Sequence, residues 1–240
     1  MKIALIGYGK MGRTIEEIAI SRGHEIVLKI DVSNAADLTE ENLKKADVAI
    51  EFTTPDSAVD NYQLCFAAGV PVVSGTTGWL SRRNEVEEAC REKEGCFFYA
   101  SNFSIGVNLF FELNCKLARM MNAFDQYNVS MTEVHHTHKL DAPSGTAISL
   151  AEDIIDEVKR VDSWTIDEPK STSELSIEAI REGEVPGIHT VKYDSEVDYI
   201  EITHSAKSRK GFALGAVLAA EFCQGRKGIL SMKNLLNEMA

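Results

Sequence analysis

The opening 23 residues constrain the fold more than any other stretch of the chain. Lys2–Ile6 (KIALI) is a short apolar run that stops at Gly7, and the next residues read GYGKMG. Ile15, Ile18 and Ala19 then recur at helical spacing until Gly23 ends the pattern. Strand, turn and helix go on alternating. Strand patterns fall at 25–31 (EIVLKID), 46–53 (ADVAIEFT), 70–77 (VPVVSGTT) and 96–101 (CFFYAS). Helical patterns fall at 55–68, where Pro55 suits a first turn, and at about 80–94. Such alternation predicts a parallel, doubly wound sheet.

After Ser101 the rhythm changes. A long helix is expected over about 107–121, then a strand (NVSMTEVHH), a helix over about 144–159 and a polar loop at 161–173. ELSIEAIR, HTVKY and VDYIEITHSA lie close together and alternate well, which predicts an antiparallel or mixed sheet. GFALGAVLAAEFC and MKNLLNEM read as two closing helices. The expected fold class is therefore α/β: a Rossmann-type doubly wound parallel sheet plus an α+β domain with a mixed sheet. The first domain is placed at 1–104, with the helices of 212–240 returning to it, and the second at 105–211.

A chain of 240 residues can bury such cores without disulfides or metals. Its formal net charge of −12 disfavours nucleic acid and anionic membranes as partners. No apolar run reaches the roughly 18 residues of a membrane span. The chain opens directly on a strand pattern rather than a signal peptide, and its five cysteines match no disulfide or zinc spacing. Reduced thiols in a cytoplasmic protein are expected.

Gly7, Gly9 and Gly12 lie between the first strand and the first helix. There the first glycine permits a tight turn, the second admits a pyrophosphate to the backbone, and the third lets helix and strand pack closely. The helix start offers free N–H groups and a positive dipole end. Asp31 ends the second strand, 19 residues after Gly12, where an acid accepts from ribose hydroxyls. Val32 follows it, and no arginine stands beside it to grip a 2′-phosphate, which favours NADH over NADPH; Lys10, Arg13 and Lys29 are the basic residues that would offset this. SGTTG (74–78) and ASNFSIGVN (100–108) follow the fourth and fifth strands, at the carboxyl ends where open parallel sheets bind ligands.

His135, His136, His138 and Lys139 crowd into five positions of an acidic chain. Successive strand residues point to opposite faces, so His135 and His136 do not both face one site. No His-x-x-x-His pair and no nearby cysteine supports a metal, and none is expected. Pro143-Ser144-Gly145-Thr146 opens a helix whose N–H groups and hydroxyls suit a carboxylate. Lys139 and one histidine would neutralise a second carboxylate or supply a proton, and neighbouring cations make a lysine a better acid near neutrality. Beside a nicotinamide-binding domain, this points to reduction of a small dicarboxylate.

EVHHTHKLDAPSGTA strongly resembles the signature of the 4-hydroxy-tetrahydrodipicolinate reductase (dihydrodipicolinate reductase) family of bacterial lysine biosynthesis. GYGKMGR, SGTTG, ASNFSIGVN and EITHSAKSR occur in that family's order, so the resemblance spans essentially the whole chain. It implies that His135 is the catalytic proton donor or acceptor and that Lys139 donates a proton during reduction. It implies that His136, Gly145 and Thr146 contact substrate, beside Ser144. It implies that Gly7, Tyr8, Gly9, Lys10, Met11, Gly12, Asp31, Gly75, Thr76, Thr77, Ala100, Ser101, Asn102 and Phe103 hold NADH or NADPH. A homotetramer assembled through the second domain's sheet is a further implication. The rival readings are another imine reductase or amino-acid dehydrogenase, which would need no His/Lys cluster, and a redox sensor, which could dispense with Lys139 and His135.

Overall fold

A computed structural model describes residues 1–208 and 210–239. Arg209, the last residue of EITHSAKSR, lies outside the described residues, as does Ala240. The chain forms two compact units: Met1–Ile105 together with the segment from Lys210 onward, and the stretch from Gly106 to Ser208.

The first unit holds six parallel strands. In chain order these are β1 (Lys2–Ile6), β2 (Glu25–Ile30), β3 (Val48–Glu51), β4 (Val72–Ser74), β5 (Cys96–Tyr99) and β11 (Gly228–Leu230), and in space they run β11-β5-β4-β3-β1-β2. Both faces are covered. Ile3 and Leu5 of β1 enter a core with Ile15, Phe98 and Val217, while Ala4 and Ile6 enter another with Tyr62, Phe66 and Phe97. This is why the strand reads as a continuous apolar run rather than an alternating one. Helices α1 (Lys10–Ser21), α3 (Pro55–Ala68) and α4 (Arg83–Glu92) are the crossovers. Gly69 ends α3 at φ +70°, a left-handed turn that glycine adopts without penalty. A 3₁₀ turn at Val32–Asp37 and the short α2 (Glu40–Leu43) fill the stretch after β2, where the sequence offers no clear pattern.

The second unit is a mixed sheet, as the spacing of its strands indicates. Its strands are β6 (Asn128–His135), β7 (Ser163–Thr165), β8 (Glu174–Arg181), β9 (Ile188–Asp194) and β10 (Tyr199–Ser205), in the order β10-β9-β6-β8-β7. β6 is parallel to β8 and antiparallel to β9. Phe110 of α5 (Ile105–Met121) and Leu150 and Ile154 of α6 (Gly145–Glu157) pack on one face against Met131, Ile177, Val191 and Tyr193. The opposite face, with Thr132, Val134 and Thr190, takes no part in that core. β7 and β11 are the two strands the sequence does not announce. Each has three residues, too few to show a period.

The closing helices α7 (Lys210–Phe222) and α8 (Met232–Met239) complete the first unit's core through Ala213, Val217 and Leu235. Gly215 lets α7 touch the chain after β5, because a Cβ there would lie 1.7 Å from the Phe103 carbonyl oxygen. Gly215→Ala should therefore lower unfolding stability by about 1–3 kcal/mol or more, the range for overpacking a rigid core. Urea unfolding with an unchanged midpoint would show that the helix shifts aside freely.

Candidate active site

In the first unit the glycine turn meets the carboxyl ends of the strands. Gly9 precedes α1, and a side chain there would meet open space, whereas a Cβ on Gly12 would lie 2.4 Å from the Gly7 carbonyl oxygen. Gly7 sits at φ +96°, with Phe52 pressed against it. Gly7, Gly9, Asp31, Thr53 and Asn61 line a cavity of about 600 Å³ whose apolar wall includes Ala35, Leu38 and Leu64. An open backbone at Gly9, a helix start and an adjoining apolar wall suit a dinucleotide.

Asp31 lies in that cavity wall at the end of β2. One of its carboxylate oxygens accepts from the Val32 N–H at 2.8 Å, capping the 3₁₀ turn. Of the nearby basic residues, Lys29 is bound to Glu16 at 2.6 Å and Arg13 lies over the Tyr8 ring at 5.4 Å; Tyr8 itself donates to Glu16. Thr76 is buried and bridges Glu51 and the Thr53 N–H, Thr77 is exposed, and Gly75 packs against the Phe52 ring. Ala100 bonds to the Ser74 carbonyl, Asn102 accepts from the Ser104 N–H, and Phe103 is buried against Phe52 and Phe98.

The second unit is organised by a buried acid. Glu133 is 0% exposed. It stands opposite His189 in the β6–β9 register, and two residues before His135 on the same face of β6. Its carboxylate accepts from the Ser144 N–H at 3.0 and 3.2 Å and from Arg181 Nη2 at 3.1 Å. The Nε2 atoms of His135 and His189 lie 3.6 and 3.7 Å from it and 3.3 Å from each other. His189 Nε2 also meets Ser144 Oγ at 3.1 Å. Gly187 gives His135 its room, since a Cβ there would lie 2.9 Å from the ring.

Arg181 extends this order outward. The same Nη2 that holds Glu133 donates to the Asp141 carbonyl at 2.6 Å, and Nε donates to the Lys139 carbonyl at 3.4 Å. The loop between β6 and α6 is thus tied to the sheet through one guanidinium. Lys139 Nζ contacts both carboxylate oxygens of Asp141 at 2.7 Å, so its immediate neighbour is an anion rather than the cations the sequence places beside it. The pairing holds the Asp141 carboxyl below its usual range, the Lys139 hydrogen bonds being the main cause. Ser144 caps α6, its hydroxyl accepting from the Ala147 N–H at 3.2 Å. Among the described residues, no hydrogen bond is donated by the N–H groups of Gly145 and Thr146, the first two positions of α6. His136 lies just past the strand end, half-buried, with its ring 6.2 Å from that of His138.

Burial raises the Glu133 carboxyl, but hydrogen bonds from Ser144 and Arg181 and the nearness of His135 outweigh it, and the net shift is downward. Burial lowers His135, partly opposed by Glu133, and it lowers His189 to about 4. The cluster is therefore a carboxylate clamped by an arginine beside two imidazoles whose burial disfavours their protonation. Glu133, His135 and His189 are close enough to share a cation. Arg181 already occupies the carboxylate, and its positive charge would oppose a divalent ion, so this donor set fits a hydrogen-bond network better than a metal.

The structure therefore groups the glycine turn, Asp31 and the loops after β4 and β5 in one unit. It groups His135, His136, Lys139 and the 144–146 helix start in the other. Sequence reasoning misses Glu133, Arg181 and His189. The signal for Glu133 was an acid two residues before His135 on a strand, hence on the same face. Arg181 and His189 carry no local signal; only strand register brings them in.

The family model described as dihydrodipicolinate reductase, N-terminus, matches residues 1–103, and the corresponding C-terminus model matches 106–236. A 4-hydroxy-tetrahydrodipicolinate reductase of Christiangramia forsetii is 51% identical over 241 residues, covering 100% of this chain and 99% of that protein. One from Neisseria gonorrhoeae is 32% identical over 265 residues, covering 98% and 97%. Among solved structures, a dipicolinate-bound dihydrodipicolinate reductase from Paenisporosarcina sp. TG-14 shares the fold, with TM-score 0.77 at 23% identity over 96% of this chain and 97% of that one.

The buried imidazole predicts a pH dependence of folding. His189 titrates near 4 in the native state against an ordinary 6.5. The unfolded chain then binds a proton that the native state refuses. Stability is intact above about pH 6.5 and falls as pH drops towards 4, by roughly 2–4 kcal/mol from this group. His189→Asn should flatten the slope of unfolding free energy across that window. An unchanged slope would mean that His189 carries no such penalty.

Proposed function

The chain belongs to the dihydrodipicolinate reductase family, and we propose that its two units divide that family's reaction between them. The reaction is the nicotinamide-dependent reduction of 4-hydroxy-tetrahydrodipicolinate to tetrahydrodipicolinate with loss of water, in the diaminopimelate route to lysine. In this reading the first unit binds the cofactor, and the second binds the dicarboxylate and supplies the proton.

One observation carries the reading. Lys139, the histidine cluster and a helix start with two unpartnered N–H groups share one short connection, held in place by Arg181. The Gly145 and Thr146 N–H groups, with the Thr146 hydroxyl, receive one substrate carboxylate at the positive end of α6. His136 and Lys139 neutralise the other end of the dianion. Substrate displaces Asp141 from the Lys139 ammonium and so brings that ammonium to the ring, where its proton completes the addition begun by the hydride. His135, linked to His189, acts as proton donor or acceptor beside it. A bound nicotinamide cofactor supplies the hydride from C4 of its ring. The glycine turn, the Gly75–Thr76–Thr77 loop and the residues from Ala100 to Phe103 hold that cofactor. The face of the second sheet that carries Thr132, Val134 and Thr190 is the proposed surface for assembly into a homotetramer, and the cytoplasm is the proposed compartment.

The direct test is to supply 4-hydroxy-tetrahydrodipicolinate to the purified protein and follow NADH absorbance. Turnover supports the reading. NADH binding without oxidation would favour a redox sensor, and turnover only with another imine or amino acid would favour a different reductase.

Two predictions follow from the assigned roles. Lys139→Ala should lower kcat at least about 10²-fold, the low end for a lost general acid, with NADH affinity nearly unchanged. A near-normal kcat would remove the lysine from the mechanism. The second concerns NADH, which is the proposed preferred cofactor. Asp31 repels a 2′-phosphate, while Lys29 and Arg13 are engaged by Glu16 and Tyr8. Repulsion between like charges about 4 Å apart, roughly 1–4 kcal/mol at a protein surface, sets the size of the preference. Asp31→Ser with Val32→Arg should shift kcat/KM towards NADPH, because arginine grips a phosphate with two parallel bonds. Equal or better use of NADPH by the wild type would refute the Asp31 argument.

A further inference from the structure

We propose that Glu51 is a positioning residue for cofactor binding: its buried carboxylate ties the loop after β3 to the loop after β4 and so fixes the backbone on which the cofactor rests. The inference depends on reading the first unit as the cofactor-binding one.

Glu51 ends β3 and is 0% exposed. It is in register with Ile6 of β1 and Ser74 of β4, the strands that lead into the glycine turn and the Gly75–Thr76–Thr77 loop. Its carboxylate accepts from the Thr53 N–H at 3.1 Å, the Thr53 hydroxyl, the Ser74 hydroxyl at 2.7 Å and the Thr76 hydroxyl at 2.9 Å. All four donors are neutral, and they come from two segments distant in sequence: the loop after β3, and the end of β4 with the loop that follows it.

Every hydrogen bond that reaches the Glu51 carboxylate is one it accepts. The single proton of each hydroxyl goes to Glu51, and its lone pairs serve other donors. Ser74 Oγ accepts from the Thr76 N–H and pairs with the Tyr62 hydroxyl at 2.6 Å. Thr76 Oγ1 accepts from the Thr53 N–H at 2.8 Å, and Thr53 Oγ1 accepts from Ser57 and Asn61. Burial, then the Glu51 charge, holds the Tyr62 phenol well above its ordinary range, so it remains a neutral donor. A glutamine in this place would bring an amide N–H₂ against the Ser74 hydroxyl, whose lone pairs already serve the Thr76 N–H and Tyr62.

The next residue transmits the constraint. A Cβ on Gly7 would lie 1.9 Å from the Phe52 carbonyl oxygen, and one on Gly75 would lie 2.1 Å from the Phe52 ring. Phe52 is therefore wedged between two glycine turns, and a shift of Glu51 moves both. Hydrophobic packing does not account for an acid here. A valine would extend the apolar strand V-A-I without needing four donors.

The test uses the full-length protein with Glu51→Gln and Ser74→Ala, measuring NADH Kd, KM for each substrate and thermal unfolding. Glu51→Gln should raise NADH Kd and KM about tenfold or more, and Ser74→Ala about three- to tenfold, because small displacements of a binding backbone are costly. KM for the dicarboxylate at saturating NADH should stay within about twofold, since its groups belong to the other unit. Unchanged NADH affinity in folded Glu51→Gln, or equal losses for NADH and dicarboxylate, would overturn the inference. If Glu51→Gln fails to fold, unchanged NADH affinity in Ser74→Ala overturns it alone. A wild type that turns over its substrate without binding NADH or NADPH at the glycine turn, as shown by unaltered affinity in Gly9→Val, would overturn the cofactor reading itself.

Discussion

A carboxylate removed from water must have its hydration replaced by donors, or it will not remain charged in the interior. Glu133 meets that requirement with one guanidinium and one backbone N–H, and the second unit's site is arranged around the result. The N–H is that of Ser144, so the acid fixes where α6 begins. The guanidinium is that of Arg181, whose other hydrogen bonds fix the carbonyls of Lys139 and Asp141. The same carboxylate lies within 3.7 Å of two imidazoles and sets the electrostatics in which they hold or lose a proton. One buried charge thus specifies a helix start, a loop and a histidine pair.

This arrangement also accounts for how the proposed dianion site can exist in an acidic chain. The net charge of −12 is spread over the surface, where solvent and salt screen it. Near the loop the acids are paired: Glu133 by Arg181, and Asp141 by Lys139. What remains for a ligand is the positive end of α6 and a lysine whose partner can be exchanged. Local compensation, not overall charge, decides what binds. The first unit repeats the principle with a different donor set, because Glu51 is satisfied by neutral hydroxyls and an N–H rather than by a cation.

The parallel sheet was legible in the sequence because its central strands β1, β3, β4 and β5 are buried on both faces and stand out as apolar runs, as KIALI and CFFY do. The start of α6 was legible because proline, serine and glycine have distinct backbone roles at a helix start. β7 and β11 were not, since each has three half-buried residues and lacks the fully buried apolar run that marks the equally short β4. The His/Lys cluster was visible as a concentration of titratable residues, but its geometry was not. His135 meets His189 because β9 pairs with β6 in one register, and Arg181 reaches Glu133 because β8 pairs in another. Those pairings join residues some fifty positions apart, and no local pattern encodes them. For the same reason the sequence gives Lys139 cationic neighbours along the chain, whereas in space its neighbour is Asp141.

The dependence of the site on Glu133 and Arg181 is tested most directly by a double-mutant cycle read out by binding of pyridine-2,6-dicarboxylate. Glu133→Gln, Arg181→Met and the double variant would be compared with wild type at saturating NADH. If the pair acts as one unit, each single change weakens binding about tenfold or more and the double change adds little, giving a coupling energy above about 1 kcal/mol. Losses that add within about 0.5 kcal/mol, or single variants that bind normally, would contradict the account.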